Sequence, residues 1–256
     1  MNKPKIKSFL DELVAQFNTP SFIESDPVQF PLRYERLQDI EIVSFTVATI
    51  AWGKRPMILR DAERMLAKMG GSPFDFVMNE DYRALGKANV HRTFFEPDLA
   101  YMLRGFRRIF ERFGSVENML IENRAAESAA PAWTFAGLLS QEMRSANGGQ
   151  ANSLCYPASY GQSALKRLNM AVRWLVRNDG IVDRGVWKAL KPSQLYIPLD
   201  VHVGNVAREL GILSRKSNDR KAVEELTAVL REFCPEDPVI YDFALFGAGI
   251  TGKLKK

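Results

Sequence analysis

Leu99, Met102, Leu103, Phe106, Ile109, Phe110 and Phe113 recur every three or four residues, so a helix over 97–113 carries all seven on one face. That period continues through nearly the whole chain, and no segment alternates convincingly with period two. A chain of this kind must bury helical stripes against one another, so the expected class is all-α. Further helices are expected over 6–17, 131–146, 162–177, 200–210, 218–233 and 238–249. One more is expected from Pro56 to the Gly70-Gly71 stop, and a short one from Ser72-Pro73. Asp39 is expected to cap an apolar helix over 40–52. The segment 19–36, broken by Pro20, Pro27 and Pro31, reads as a loop, as does the polar stretch 147–161.

The 256 residues suffice for one large domain or two lobes. A net charge of +5 is mildly basic and compatible with a nucleic-acid partner. Cys155 and Cys234 are too few for a disulfide scaffold or a four-cysteine cluster. The first residues, MNKPKIKSFLDELV, lack the apolar core of a signal peptide, and no apolar run reaches membrane-spanning length. The expectation is a cytoplasmic protein without a membrane partner.

The segment 193–213, SQLYIPLDVHVGNVARELGIL, is the most informative chemically. Extended Leu195-Tyr196-Ile197 leads through Pro198 to Asp200. There an aspartate can accept bonds from the free N–H groups of a helix start. Val203, Val206, Ala207 and Leu210 form the buried stripe, and Gly211 is a suitable stop. The result is a carboxylate fixed on a rigid element at the positive end of a helix.

Pro198-Leu199-Asp200-Val201-His202, followed by Val206-Ala207-Arg208, resembles the catalytic-aspartate segment of the helix-hairpin-helix DNA glycosylase superfamily. That superfamily includes endonuclease III, the adenine glycosylase and the 8-oxoguanine glycosylases. The run 39–66 resembles its early helix pair, with Trp52-Gly53-Lys54-Arg55 as the turn at the active-site mouth. The run 241–249, YDFALFGAG, resembles the late helix of the adenine-glycosylase branch. An iron–sulfur loop comes next in that branch; here no cysteine follows Cys234, so no cluster is expected. The resemblance covers most of the chain from Asp39 onward, and the whole is also similar to a bacterial family without an assigned function.

The resemblance implies a two-lobed helical bundle of the glycosylase type with its site in the cleft. Residues 39–165 would form one lobe ending in a divergent hairpin, and 1–38 with 166–256 the other. It implies a monomeric, nucleoid-associated base-excision glycosylase, with AP-lyase activity, acting on a base flipped from damaged double-stranded DNA. Archaeal 8-oxoguanine glycosylases share the divergent hairpin and the long interval from lysine to aspartate, which suggests an oxidised purine. Asp200 would stabilise the cation-like sugar or activate the attacking group. Lys166, on the helix after the hairpin, would attack the sugar and form a Schiff base.

Read as residues alone, Asp200 is equally sufficient as a helix cap. Lys166, Arg173 and Arg177 share one helical face that also fits a solvated basic surface. The resemblance makes Arg173, Trp174, Trp52 and Lys54 candidates for the pocket or rim, with Arg177 beside them. His202 would orient a phosphate or the aspartate. Tyr160 and Gly161, with the rest of 156–161, would offer backbone N–H groups to phosphates. Arg104, Arg107, Arg108 and Arg112 form a second basic stripe, following a phosphate backbone or facing water. His91 stands alone in a loop. Gly247–Lys253 fits most of a phosphate-binding loop, but Leu254 replaces the magnesium-binding hydroxyl and no strand precedes it, so an NTP site is rejected. Two histidines and two scattered cysteines make no metal site, and no cofactor is expected. The alternative function is a non-catalytic nucleic-acid-binding protein on the same fold, favoured by the missing second hairpin glycine and the altered turn at Gly53.

Overall fold

The computed structural model describes residues 2–156 and 160–252, of which the helices are α1 (Lys3–Phe17), α2 (Pro20–Glu24), α3 (Leu37–Ile50), α4 (Arg55–Met69), α5 (Pro73–Met78), α6 (Glu96–Phe113), α7 (Val116–Glu122), α8 (Pro131–Ser145), α9 (Lys166–Val176), α10 (Val201–Glu209), α11 (Arg220–Phe233) and α12 (Tyr241–Thr251). The described residues are 64% helix and 3% strand, so the class is all-α. Among the described residues the strands are one antiparallel pair, β1 (Asn89–His91) with β2 (Phe94–Phe95). Segments of three and two residues are too short for an alternating pattern to reveal.

The chain divides into two units, Ile23–Tyr160 and Met1–Phe22 with Gly161 onward. Residues 23–38, assigned to the terminal lobe from sequence, belong instead to the first. Its prolines open two 3-10 turns, Pro27–Gln29 and Pro31–Arg33, which pack on α3 with Val28 and Phe30 buried. Pro20 likewise starts α2 inside the expected loop, occupying a first-turn position where its missing N–H costs nothing.

In the unit Ile23–Tyr160, α3 is buried along nearly its whole length. Its acids therefore serve neighbouring helices. Asp39 does not cap its own helix, whose N-cap is Arg36; its carboxylate accepts from the Phe74 N–H at 2.7 Å, at the start of α5. Buried Glu41 accepts from the N–H groups of Val116 and Glu117, both at 2.9 Å, and so caps α7. That helix, absent from the sequence reading, has only seven residues, too few for a clear period. On α6, a Cβ at Gly105 would overlap Met143, so the glycine permits the approach of α8. The same contact occupies the second basic stripe. Arg108 and Arg112 both pair with Glu142 of α8, and Arg104 donates to Asn147 at 2.6 Å.

In the other unit, α12 is apolar almost all round and packs on α1 and α10. A Cβ at Gly247 would overlap the Phe17 ring, and one at Gly249 would lie 3.0 Å from the His202 Cβ. Gly247 and Gly249 are therefore packing positions inside α12, whereas Gly252 is its left-handed C-cap (φ 65°) with open space around it; Lys253 and Leu254 lie outside the described residues. Among the described residues no helix is long and apolar enough to cross a membrane.

Candidate active site

Helix α9 begins at Lys166, four residues later than the apolar pattern suggested. Leu165 is left-handed (φ 50°), and Ser163 is bridged to Asp219, so the preceding residues are held out of the helix. A branched side chain in this conformation costs roughly 1–2 kcal/mol, which the surrounding structure must offset. Lys166 thereby becomes the first helical residue, half-buried, with its Nζ 3.5 Å from Met170 Sδ.

Asp200 is the N-cap of α10, and its side chain accepts from the Val203 N–H at 2.9 Å. Asn218 reaches across the helix start, donating to the Asp200 backbone carbonyl at 3.0 Å. Gly204 makes this possible, since a Cβ there would lie 2.8 Å from the Asn218 side chain. Two residues on, the Arg220 N–H donates to the Gln162 carbonyl at 3.0 Å, just upstream of Lys166. The short stretch 218–220 therefore ties the start of α9 to the start of α10. Sequence patterns gave Asn218 no role, because only the tertiary turn brings it to Asp200.

Arg173 and Arg177 depart from the expectation. Neither is solvated, and neither can act as a phosphate rim. Arg173 pairs with Asp242 and lies 3.4 Å from Asp183. Arg177 pairs with Asp179 at 2.7 Å, Asp183 at 3.1 Å and Asp237 at 2.6 Å. Both guanidinium groups also sit over the Phe243 ring. Four carboxylates around two guanidinium groups leave a local surplus of negative charge in a buried setting, where unpaired charge is costly.

Asp242, in the first turn of α12, is the member of this cluster that pairs with Arg173. Burial pushes its carboxyl up to about 6; the charges of Asp200 and Asp183 act in the same direction, and those of Arg173 and Lys166 oppose them. Its direct partner is Arg173. The sequence reading had Asp242 only as part of a helix motif.

The other expected positions are scattered. Trp174 is fully buried in the core, so it lines no rim. His202 is exposed, its ring edge-on to Phe246 at 6.3 Å. Gly161 is half-buried, and its carbonyl accepts from Arg220 at 3.4 Å. Tyr160 packs its ring against Gly137, where a Cβ would lie 3.1 Å from the hydroxyl. Residues 157–159 of the expected hairpin lie outside the described residues. Trp52 and exposed Lys54 belong to the unit Ile23–Tyr160.

Beside Trp52 stands a constellation the sequence concealed. His91 is fully buried, with Nδ1 2.8 Å from Asp61 Oδ2 and Nε2 2.8 Å from the Trp52 carbonyl oxygen. A carbonyl only accepts, so Nε2 carries a proton. Burial pushes the Asp61 carboxyl up, but hydrogen bonds from His91 and Arg60 outweigh it and hold the group below the ordinary carboxylate range. The arrangement pins the turn after α3, where Gly53 adopts φ 102°. An open depression of about 700 Å³ in the same unit is lined by charges already paired, Lys68 with Glu96, Glu80 with Arg83 and Asp75 with Arg36. Among the described residues no group of three His, Cys, Asp or Glu side chains is placed to hold a metal ion.

The described residues form an all-α fold divided into two units. The sequence matches, over residues 26–251, the family model described as a protein of unknown function, DUF2400, and the chain belongs to that family. No curated protein and no solved structure matches it.

Proposed function

We propose that the chain is a DNA glycosylase of the helix-hairpin-helix type with AP-lyase capacity, acting on a damaged base in double-stranded DNA. The observation that carries this reading is the tie between the helix starts that bear Lys166 and Asp200. Each stands at the start of a helix, the two starts are tied through residues 218–220, and both act on the same buried carboxyl. A lysine amine and a fixed carboxylate together suit displacement at an anomeric carbon. The amine attacks, and the carboxylate steadies positive charge developing on the sugar. The segment 198–208 and the late helix resemble that superfamily and support the same chemistry. An oxidised purine is the substrate class this reading favours.

The test is base release and strand cleavage on a panel of duplexes, each with one damaged base, for wild type, Lys166→Ala and Asp200→Asn. Asparagine caps a helix about as well as aspartate, so Asp200→Asn separates charge from capping. Wild type should cut one or more duplexes, and Asp200→Asn should lower base release by about 100-fold or more. Binding without base release on every duplex would replace the enzyme with a nucleic-acid-binding protein on this fold.

A further inference from the structure

Both ring nitrogens of buried His91 face acceptors. Nδ1 lies 2.8 Å from Asp61 Oδ2 of α4, and Nε2 lies 2.8 Å from the Trp52 carbonyl oxygen at the end of α3. A carbonyl only accepts, and so does an ionised carboxylate. Asp61 is ionised. Burial raises its carboxyl, but hydrogen bonds from His91 and Arg60 bring it below the ordinary range, and Arg60 and Arg64 stand 2.9 and 3.4 Å from its other oxygen. A neutral imidazole has one N–H and would leave one of the two acceptors facing a lone pair. The imidazolium, with a proton on each nitrogen, meets both. The His91 ring also lies at 84° to the Trp52 ring with centroids 4.8 Å apart, so it holds that residue by side chain and backbone together. The other groups around the ring are Arg92, whose Nη1 would lie 2.8 Å from a Cβ at Gly53, and apolar Phe94 and Phe95 of the paired strand.

We propose that His91 is a protonation latch on the turn Trp52–Arg55: the imidazolium ties the end of α3 to α4, and loss of one ring proton lets the turn open. The latch does not rest on the glycosylase reading. Histidine is the side chain whose charge ordinarily changes between about pH 5 and 8. The bond from Nδ1 to the Asp61 carboxylate joins two charges and is the stronger of the two. Nε2 is therefore the nitrogen that gives its proton to water. Its lone pair then faces the lone pairs of the Trp52 carbonyl at 2.8 Å, a contact that holds only while the proton is present. Arg60 and Arg64 keep Asp61 ionised in either state, so the change of charge falls on the ring. Gly53, at φ 102°, follows directly and supplies a backbone able to swing.

NMR and amide exchange on the full chain test the latch without any substrate. Long-range proton–nitrogen correlations follow the two ring nitrogens of His91 against pH, with His202→Gln identifying the other histidine. Both nitrogens should be protonated at low pH, and Nε2 should lose its proton as pH rises. Exchange protection is measured over the same range for the amides of Trp52, bonded to the Ile50 carbonyl, and of Met57 and Ile58, bonded to the Lys54 carbonyl. It should fall about tenfold as the ring changes, roughly the worth of one such bond, while protection in α6 stays constant. In Asp61→Asn the side-chain amide can donate to Nδ1, so a neutral ring keeps its proton on Nε2 and the turn should stay closed at every pH. The wild type decides even where that variant does not fold. A ring that keeps one charge state wherever the chain is folded, or a turn whose protection ignores the change, overturns the latch. An Asp61→Asn chain whose turn still loosens over the same pH range assigns the loosening to another group and overturns it as well.

Discussion

The side-chain amide of Asn218 donates to the backbone carbonyl of Asp200 at 3.0 Å, while its own carbonyl oxygen accepts from Arg208 at 2.5 Å. A residue eighteen positions downstream therefore fixes the peptide that carries the expected catalytic carboxylate. Asn218→Ala should cost about 1 kcal/mol of stability, the usual worth of such a bond. It should also lower base release several-fold with helix content unchanged. Thermal unfolding and a single-turnover assay check the two effects separately.

The packing role of the late-helix glycines gives a second test. A methyl group at Gly247 would overlap Phe17, whereas one at Gly161 would meet nothing within 4 Å. Gly247→Ala should destabilise the protein by about 1–3 kcal/mol through overpacking. Gly161→Ala should leave denaturant midpoints unchanged. A drop in DNA affinity for Gly161→Ala without a stability change would assign that backbone to phosphate contact.

Titration gives a third. Arg177 and several hydrogen bonds outweigh the burial of Asp179 and pull its carboxyl down from 3.8 to about 2. A lowered carboxyl adds stability that is complete above its unfolded value and lost as pH falls through the folded one, here about 2 kcal/mol between roughly pH 5 and 2. Asp242 has the opposite sign. Raised from 3.8 to about 6, it stays protonated in the folded state where the unfolded chain has already ionised, so stability falls as pH rises between about 4 and 6. Denaturant midpoints across pH should show that fall in the wild type and lose it in Asp242→Asn. In Asp179→Asn the loss of stability below pH of about 4 should be smaller.

Much of the helical order was legible because α6, α9 and α11 each carry a strong apolar face at period 3.6. Asp200 was legible as a cap for the same local reason. Tertiary features were not. Asp39 and Glu41 cap neighbouring helices rather than their own, and spacing along one helix does not reveal which neighbour it meets. Arg173 and Arg177 fell on the expected face of α9, but a surface face and a buried ion-pair face have the same sequence pattern. His91 reads as a lone loop histidine until folding brings it 2.8 Å from Asp61.

That histidine supplies a fourth prediction. His91→Ala removes a partner from buried Asp61 and from the Trp52 carbonyl, leaving both to be satisfied otherwise. Leaving such groups unpaired costs roughly 1–3 kcal/mol each, softened at Asp61 by Arg60 and Arg64. Chemical denaturation should show a loss of about 2–4 kcal/mol, and amide exchange should accelerate in the turn Trp52–Arg55.

The nucleophilic role of Lys166 is the central claim, and mapping the trapped adduct tests it most directly. Borohydride reduction during turnover would fix a Schiff base between enzyme and sugar as a stable amine. Proteolysis and mass spectrometry would then locate the modified residue. The account predicts the adduct on Lys166 and its disappearance in Lys166→Ala; an adduct on another lysine or on the chain's amino terminus, persisting in Lys166→Ala, would contradict it.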